Sequence, residues 1–193
     1  MCKFSEDNKV RVGNVALYIA QNTERPSKTK VLKLMYLMEE RWVLKSQFPF
    51  LGIPYEVWQA GPVAKDVFVD LSDGPFILSN YVTVSSDGMG QYVEPVGTFD
   101  PDEFSDAELK VMKGVIDKYG NMTASELVQF THREGSLWYN AAKANGLLEA
   151  FDRHQCNSSD VLIDFTKAMT PCDAEFYKEN LSMHHAANYY GTR

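Results

Sequence analysis

The segment FTHREGSLW, residues 130–138, sets His132 beside Arg133, Glu134 and Ser136. From such types a Ser–His nucleophile with an acid–base partner is built. That chemistry needs a hydroxyl bonded to the ring and a third group orienting it, and spacing alone supplies neither. No G-x-S-x-G elbow and no protease-type cysteine context accompanies the histidine. Two readings of His132 stand. One is a small hydrolase or transferase built around His132 and Glu134. The other is a helix–helix corner closed by His132 and Trp138, with one ring nitrogen bonded to backbone.

Metal chemistry has less to start from. Asp152, His154 and Cys156 alternate, and His184-His185 follow near the C-terminus. A structural zinc needs four ligands, usually at C-x-x-C or H-x-x-x-H spacing, and neither spacing occurs. These residues are expected in a solvated loop and tail, with no metal. Walker and dinucleotide glycine patterns are missing too, so no cofactor is expected. Glu39-Glu40 reads as a pair on the wet side of a helix. Asp100, Asp102 and Glu103 sit around a helix start, where the helix dipole favours negative charge.

The totals narrow the classes. A chain of 193 residues with 45% hydrophobic content suits one domain with a real core. A net charge of -7 argues against a sequence-independent grip on nucleic acid. Lys28, Lys30 and Lys33 could form a small basic patch, but lysines at one-turn spacing read as a solvated helix face. Three cysteines at unmatched spacings imply no disulfide framework and fit a reducing compartment. The polar N-terminus, MCKFSEDNK, is not expected to be a signal peptide, and no run suggests a membrane span. A cytoplasmic location is expected.

The elements that must position any site are mostly helices. Val12, Val15, Ala16 and Ile19 repeat at helical spacing over residues 9–23. Pro26-Ser27 then breaks the chain and caps a second helix over about 28–47. Its stripe is Val31, Leu34, Met35, Met38 and Trp42, with Leu32, Tyr36 and Leu37 apolar outside it. A helix apolar on most sides is expected to be central. Residues 79–98 read as a β-hairpin, NYVTV and QYVEPVGTF around the turn SSDGMG. Pro95 marks an exposed edge or an early end. Ser105–Glu108 and Thr123–Glu126 are capping boxes that open helices to about Tyr119 and Thr131. A further helix is expected from Leu137 to about Asn145, then a polar loop over 152–160. VLIDFTKAM suits strand or helix. Thr170-Pro171 opens a last helix, and the tail MHHAANYYGTR has no period and is expected to be loose. The fold class is therefore mainly α with a small antiparallel β-hairpin (α+β), a compact single-domain helical bundle over residues 1–193.

One stretch stands apart, YEVWQAGPVAKDVF at residues 55–68. Its first half alternates as a strand does. Gly61 allows φ > 0 or a close backbone approach. Pro62 is expected in the first turn of a helix over 62–72, where its missing N–H matters least. Trp58 is large enough to anchor the corner. A structural corner accounts for each residue; a corner that also faces a partner is the other reading.

VWQAGPVAKDVF resembles the W-x-x-G-P-V motif of the SocA-like antitoxin family, the Panacea domain, which also includes phage-associated GepA-type proteins. KVLKLMYLME resembles the family's early K-L-x-K-L-x-Y helix. FSDAELKVMKGVIDKYGNMTASELVQFTHREGSLWYNA resembles its later block, ending in T-H-x-E...W. The three pieces fall in order over about 28–145. The C-terminal extension 146–193, with a tail 182–193 expected to be flexible, and the hairpin lie outside the motifs. Ala60 stands where the family often has an aromatic before Gly-Pro. The resemblance marks Trp58, Gly61, Pro62, Val63, His132, Glu134 and Trp138 as motif residues, structural or partner-binding. It implies a bacterial, non-enzymatic antitoxin that binds and neutralises a cognate toxin encoded nearby. It also implies a second mode, as an adaptor handing the toxin to a ClpXP-type protease. The alternative class is a phage or mobile-element interaction protein with no toxin partner. Some members carry an extra DNA-binding helix-turn-helix, and none is expected here before Lys28. Trp58, Tyr92 and Trp138 are the expected anchors for a partner, since aromatics on loops and edges dominate interface energetics.

Overall fold

A computed structural model describes residues 6–72, 74–88 and 90–190. Residues 1–5 with Cys2, Met89 of the hairpin turn, and the last three residues of the tail lie outside them.

Helix α2 (Lys28–Ser46) is the axis of the structure. Ser27 caps it by accepting from the Lys30 N–H at 3.3 Å. Every residue from Val31 to Glu39 is buried, so the helix has almost no wet face until its last two turns. α1 (Glu6–Gln21) lays Val12, Val15, Ala16 and Ile19 against it, all fully buried. α4 (Asp106–Tyr119) and α5 (Ala124–His132) pack on its other side. Both open on the capping boxes expected of them, Ser105–Glu108 and Thr123–Glu126. The fold is mainly α with two small antiparallel sheets.

The second sheet was legible. β3 (Val82–Asp87) pairs with β4 (Gly90–Pro95) in the register Val84↔Val93, and Pro95 ends its strand. The first sheet was not. Glu56–Trp58 (β1) and Gly61–Val63 (β2) form a hairpin with Trp58 opposite Gly61, turning at Gln59-Ala60. Pro62 therefore stands in a strand and not in a helix, and the helix expected over 62–72 shrinks to α3 (Lys65–Asp70). Gly61, at φ +95, folds the chain back on itself. Residues 157–163 run along the free edge of β1. The Val57 N–H donates to the Val161 carbonyl at 2.8 Å, and the Ile163 N–H to that of Tyr55 at 2.8 Å. VLIDFTKAM is thus part bridge, at Leu162, and part 3-10 turn, at Phe165–Ala168.

Five charged residues of α2 depart from expectation. Lys33 is not on a solvated face; it is 1% exposed, inside the core. Lys28 and Lys30 are half-buried, Lys28 donating to Ser72 Oγ at 2.7 Å. Glu39 is not on a wet side either. Its carboxylate is buried and accepts the N–H groups of Phe50, Leu51 and Gly52 at 3.0, 2.8 and 3.4 Å. It thereby ties down the turn after α2, where orphan backbone donors would otherwise be buried unpaired. Glu40 is half-buried and accepts from Tyr36 Oη at 2.7 Å.

α6 (Leu137–Ala144) is followed, after Gly146 at φ +68, by a short α7 (Leu147–Asp152), which fills the stretch before the expected loop. The last helix, α8, runs Pro171–Tyr190 and so takes in most of the tail. Its inward stripe is Tyr177, Asn180, Leu181 and His184, at i, i+3, i+4 and i+7. Two of those four are polar, which hid the period from a hydrophobicity reading. Asn180 donates to the Gln47 carbonyl at 3.1 Å, and His185 Nε2 lies 3.0 Å from the Gly52 carbonyl.

Candidate functional site

The β1–β2 hairpin, the middle of α2 and the α5–α6 turn meet at one corner. Ser136 builds the turn. Its Oγ donates to the Thr131 carbonyl at 2.7 Å and accepts the Tyr139 N–H at 3.0 Å, capping α6. Gly135 supplies φ +82 just before it. The turn brings the His132 ring flat onto Trp138, with centroids 3.7 Å apart and planes 5° apart. Trp138 in turn donates from Nε1 to the Trp58 carbonyl at 3.0 Å, clamping the hairpin to the turn.

Gly61 lies underneath. A Cβ placed on it would come within 2.7 Å of Lys33 Cε, 2.8 Å of Thr131 Oγ1 and 3.3 Å of His132 Nε2. Three sequence blocks far apart in the chain therefore converge on one glycine. Lys33 Nζ donates to the Pro62 carbonyl at 2.8 Å. Burial without a carboxylate partner pushes its ammonium down to about 7. Burial, with Lys33 beside it, pushes His132 down to about 4. The His132 Nε2 is buried and has no hydrogen-bond partner among the described residues.

This geometry weighs against a Ser136–His132 nucleophile. Ser136 Oγ is committed to backbone, so no Ser–His pair forms. Glu134 is exposed and has no hydrogen-bond or ion-pair partner among the described residues. An imidazole held near 4 is a poor base at neutral pH. The His132–Trp138 corner forms by ring stacking. Asp152 and His154 stay on the surface, with the His154 Nδ1 3.4 Å from Gln59 Nε2, while Cys156 is half-buried against the core. Among the described residues no three His, Cys, Asp or Glu side chains gather as a metal site.

Above the stacked pair opens a cavity of about 390 Å³, lined by Gln59, His132, Trp138, Tyr139, Leu148, Phe151 and Asp152. That is at the small end of ligand-pocket sizes. Gln59, at the hairpin tip, is held by a bond from Nε2 to the Phe151 carbonyl at 3.0 Å. Trp138 is buried and forms floor, whereas Trp58 is half-buried beside the cavity. Trp58 packs edge-on against Phe68 at 4.9 Å and donates from Nε1 to Glu56 Oε2 at 2.8 Å. Gly61, Pro62 and Val63 are buried behind it. Tyr92 lies elsewhere, on β4, half-buried with the Arg25 guanidinium 3.9 Å over its ring. Gln59, Tyr139, Leu148 and Phe151 escaped the sequence reading as site residues, and Lys33 was read as solvated. Only Lys33 left a signal there: a lone cation inside VLKLM, on a helix apolar all round.

No curated protein and no solved structure matches the chain. Residues 31–139 match the family model described as antitoxin SocA-like, Panacea domain. That span is more than half of the chain and holds Lys33, the β1–β2 hairpin, His132 and Trp138. The chain belongs to the SocA-like antitoxin family through this Panacea domain.

Proposed function

We propose that this protein is the antitoxin of a toxin–antitoxin system and neutralises its toxin by direct protein–protein binding, without catalysis. The observation that carries the reading is the family match over residues 31–139, whose motif residues meet at a corner with a cavity above it. The clamped, stacked corner supplies a rigid platform, which reduces the ordering cost of binding. Trp58 and Tyr92 offer half-buried aromatic surface to the toxin, while Trp138 acts from beneath as the floor of the cavity. An apolar toxin side chain seated between Tyr139, Leu148 and Phe151 would be the central anchor. The chain's charge of -7 favours a basic toxin and raises its on-rate. Occlusion of the toxin's working surface is the primary mode; delivery of the bound toxin to a ClpXP-type protease is the second.

The test is a growth assay in bacteria with the adjacent open reading frame, expressed alone and with this protein. The expected result is arrest by the neighbour and rescue by co-expression. Leu148→Trp, which fills the cavity, should keep the fold and abolish rescue. A harmless neighbour, or toxicity that persists beside folded wild-type protein, overturns the reading. Repeating the rescue in cells lacking the protease separates the modes: occlusion survives there and delivery does not.

A further inference from the structure

Across α5 from the cavity, a second groove of about 350 Å³ runs between α2, α4 and α5. His132 lines the cavity and the next residue, Arg133, lines this groove. Its rim carries Arg41, Lys45, Lys118 and Arg133, four of the chain's 19 Lys and Arg, on a protein whose net charge is -7. All four are exposed, and none is in an ion pair among the described residues.

Three of them contact carbonyls or aromatic faces instead. Arg41 Nη1 reaches the Gly114 carbonyl at 3.5 Å. Arg133 donates to the Phe130 carbonyl at 2.7 Å with its guanidinium 4.1 Å over the Phe130 ring. Lys118 Nζ sits 5.0 Å over Tyr119. The nearby Asp117 is taken by Lys113 at 2.9 and 2.7 Å, so it does not neutralise the rim. The one carboxylate lining the groove is Glu40, bonded through Oε1 to Tyr36.

We propose that this groove docks an acidic segment of a partner protein, a short extended stretch carrying several carboxylates. Unpaired cations that carbonyls and rings already hold in place match carboxylates without prior rearrangement. The groove also offers Leu37, Leu44, Tyr119 and Phe130 as apolar contact. Glu40 disfavours the phosphodiesters of a nucleic-acid backbone, which bring negative charge but no donor for a carboxylate. A peptide brings both carboxylates for the rim and backbone N–H groups for Glu40. This site stands apart from the cavity and does not require the partner to be a toxin.

The experiment measures fluorescence anisotropy with a labelled octapeptide of Glu and Leu, against the same peptide with Gln for Glu. Saturable binding of the Glu peptide is expected, weakening about tenfold when salt rises from about 0.05 M to about 0.3 M. Arg41→Glu with Lys118→Glu should abolish binding, and the neutral pair Arg41→Gln with Lys118→Gln should weaken it about tenfold. Both pairs are exposed, so thermal melts should match wild type. Lys110→Glu, also exposed on α4 but outside the groove, should change little. Failure of the wild type to bind the Glu peptide overturns the proposal. So does equal loss with Lys110→Glu, or displacement of the peptide by inorganic phosphate or a single-stranded oligonucleotide at matched charge.

Discussion

Replacing Gly61 with alanine tests the corner at its tightest point. The residue sits at φ +95, where an L side chain is strained by about 1–2 kcal/mol. The added methyl would also meet Lys33 Cε at 2.7 Å and Thr131 Oγ1 at 2.8 Å. Lys33 is buried and bonded to Pro62, and Thr131 Oγ1 is bonded to the Val128 carbonyl at 2.9 Å, so neither swings away freely. Overpacking of this kind costs about 1–3 kcal/mol. The two effects sum to roughly 3 kcal/mol, a large part of a typical domain's stability. In a chain of this length that lowers Tm by roughly 6–12 °C. Gly135→Ala is the control: its φ is +82 but nothing lies within 4 Å of a Cβ there, so only the strain applies. Urea denaturation of both variants separates crowding from strain. If Gly61→Ala loses no more than Gly135→Ala, the convergence of α2, the hairpin and the α5–α6 turn on this glycine is wrong.

Lys33 makes stability depend on pH. Its folded value near 7 lies below the ordinary 10.5, so between the two the unfolded chain holds a proton that the native state does not. Stability therefore rises with pH across that window, by about 1.4 kcal/mol per unit at most. Unfolding free energies from urea denaturation at about pH 7.5 and about pH 9.5 should differ more in wild type than in Lys33→Met, by roughly 2 kcal/mol; equal increments would refute the buried amine. His132 acts in the same direction at lower pH, because burial lowers its value to about 4. Stability should fall as pH drops from the ordinary histidine range toward that value, and less steeply in His132→Gln. Glu39→Ala should destabilise by about 3 kcal/mol, since three buried N–H groups lose their acceptor, and Glu39→Gln by about half of that. Chemical denaturation giving wild-type stability for the alanine variant would remove Glu39 from its role in the turn. Trp58→Ala should keep a cooperative melt and the helical circular dichroism signal, while toxin binding in a pull-down falls. An unfolded variant would mark the tryptophan as structural only.

Much of the scaffold was legible because its signals are local. The capping boxes at Ser105 and Thr123 need only four residues each, and both formed as read. α2 announced its central place through apolar residues on every side. The β1–β2 hairpin was not legible, because strands of three residues carry too little alternation to outweigh a helix-like V-A-K-D-V-F. α8 was lost past residue 181 because Asn180 and His184 occupy inward positions usually held by apolar residues. The buried Lys33 and Glu39 were misread as solvated because charge on a helix usually faces water. What reverses that rule is a distant partner: the Pro62 carbonyl for one, the N–H groups of Phe50, Leu51 and Gly52 for the other.

By itself, then, the sequence determined most of the helices, the capping boxes and the central place of α2, and its motifs carried the family resemblance. The elements depend on propensity and periodicity within a few turns of chain. Tertiary structure alone decided that Lys33, Gly61, Thr131, His132 and Trp138 share one corner, and that His132 and Arg133 face a cavity and a basic groove on opposite sides of α5. Those facts depend on contacts between residues up to about a hundred positions apart, which arise only when the helices pack.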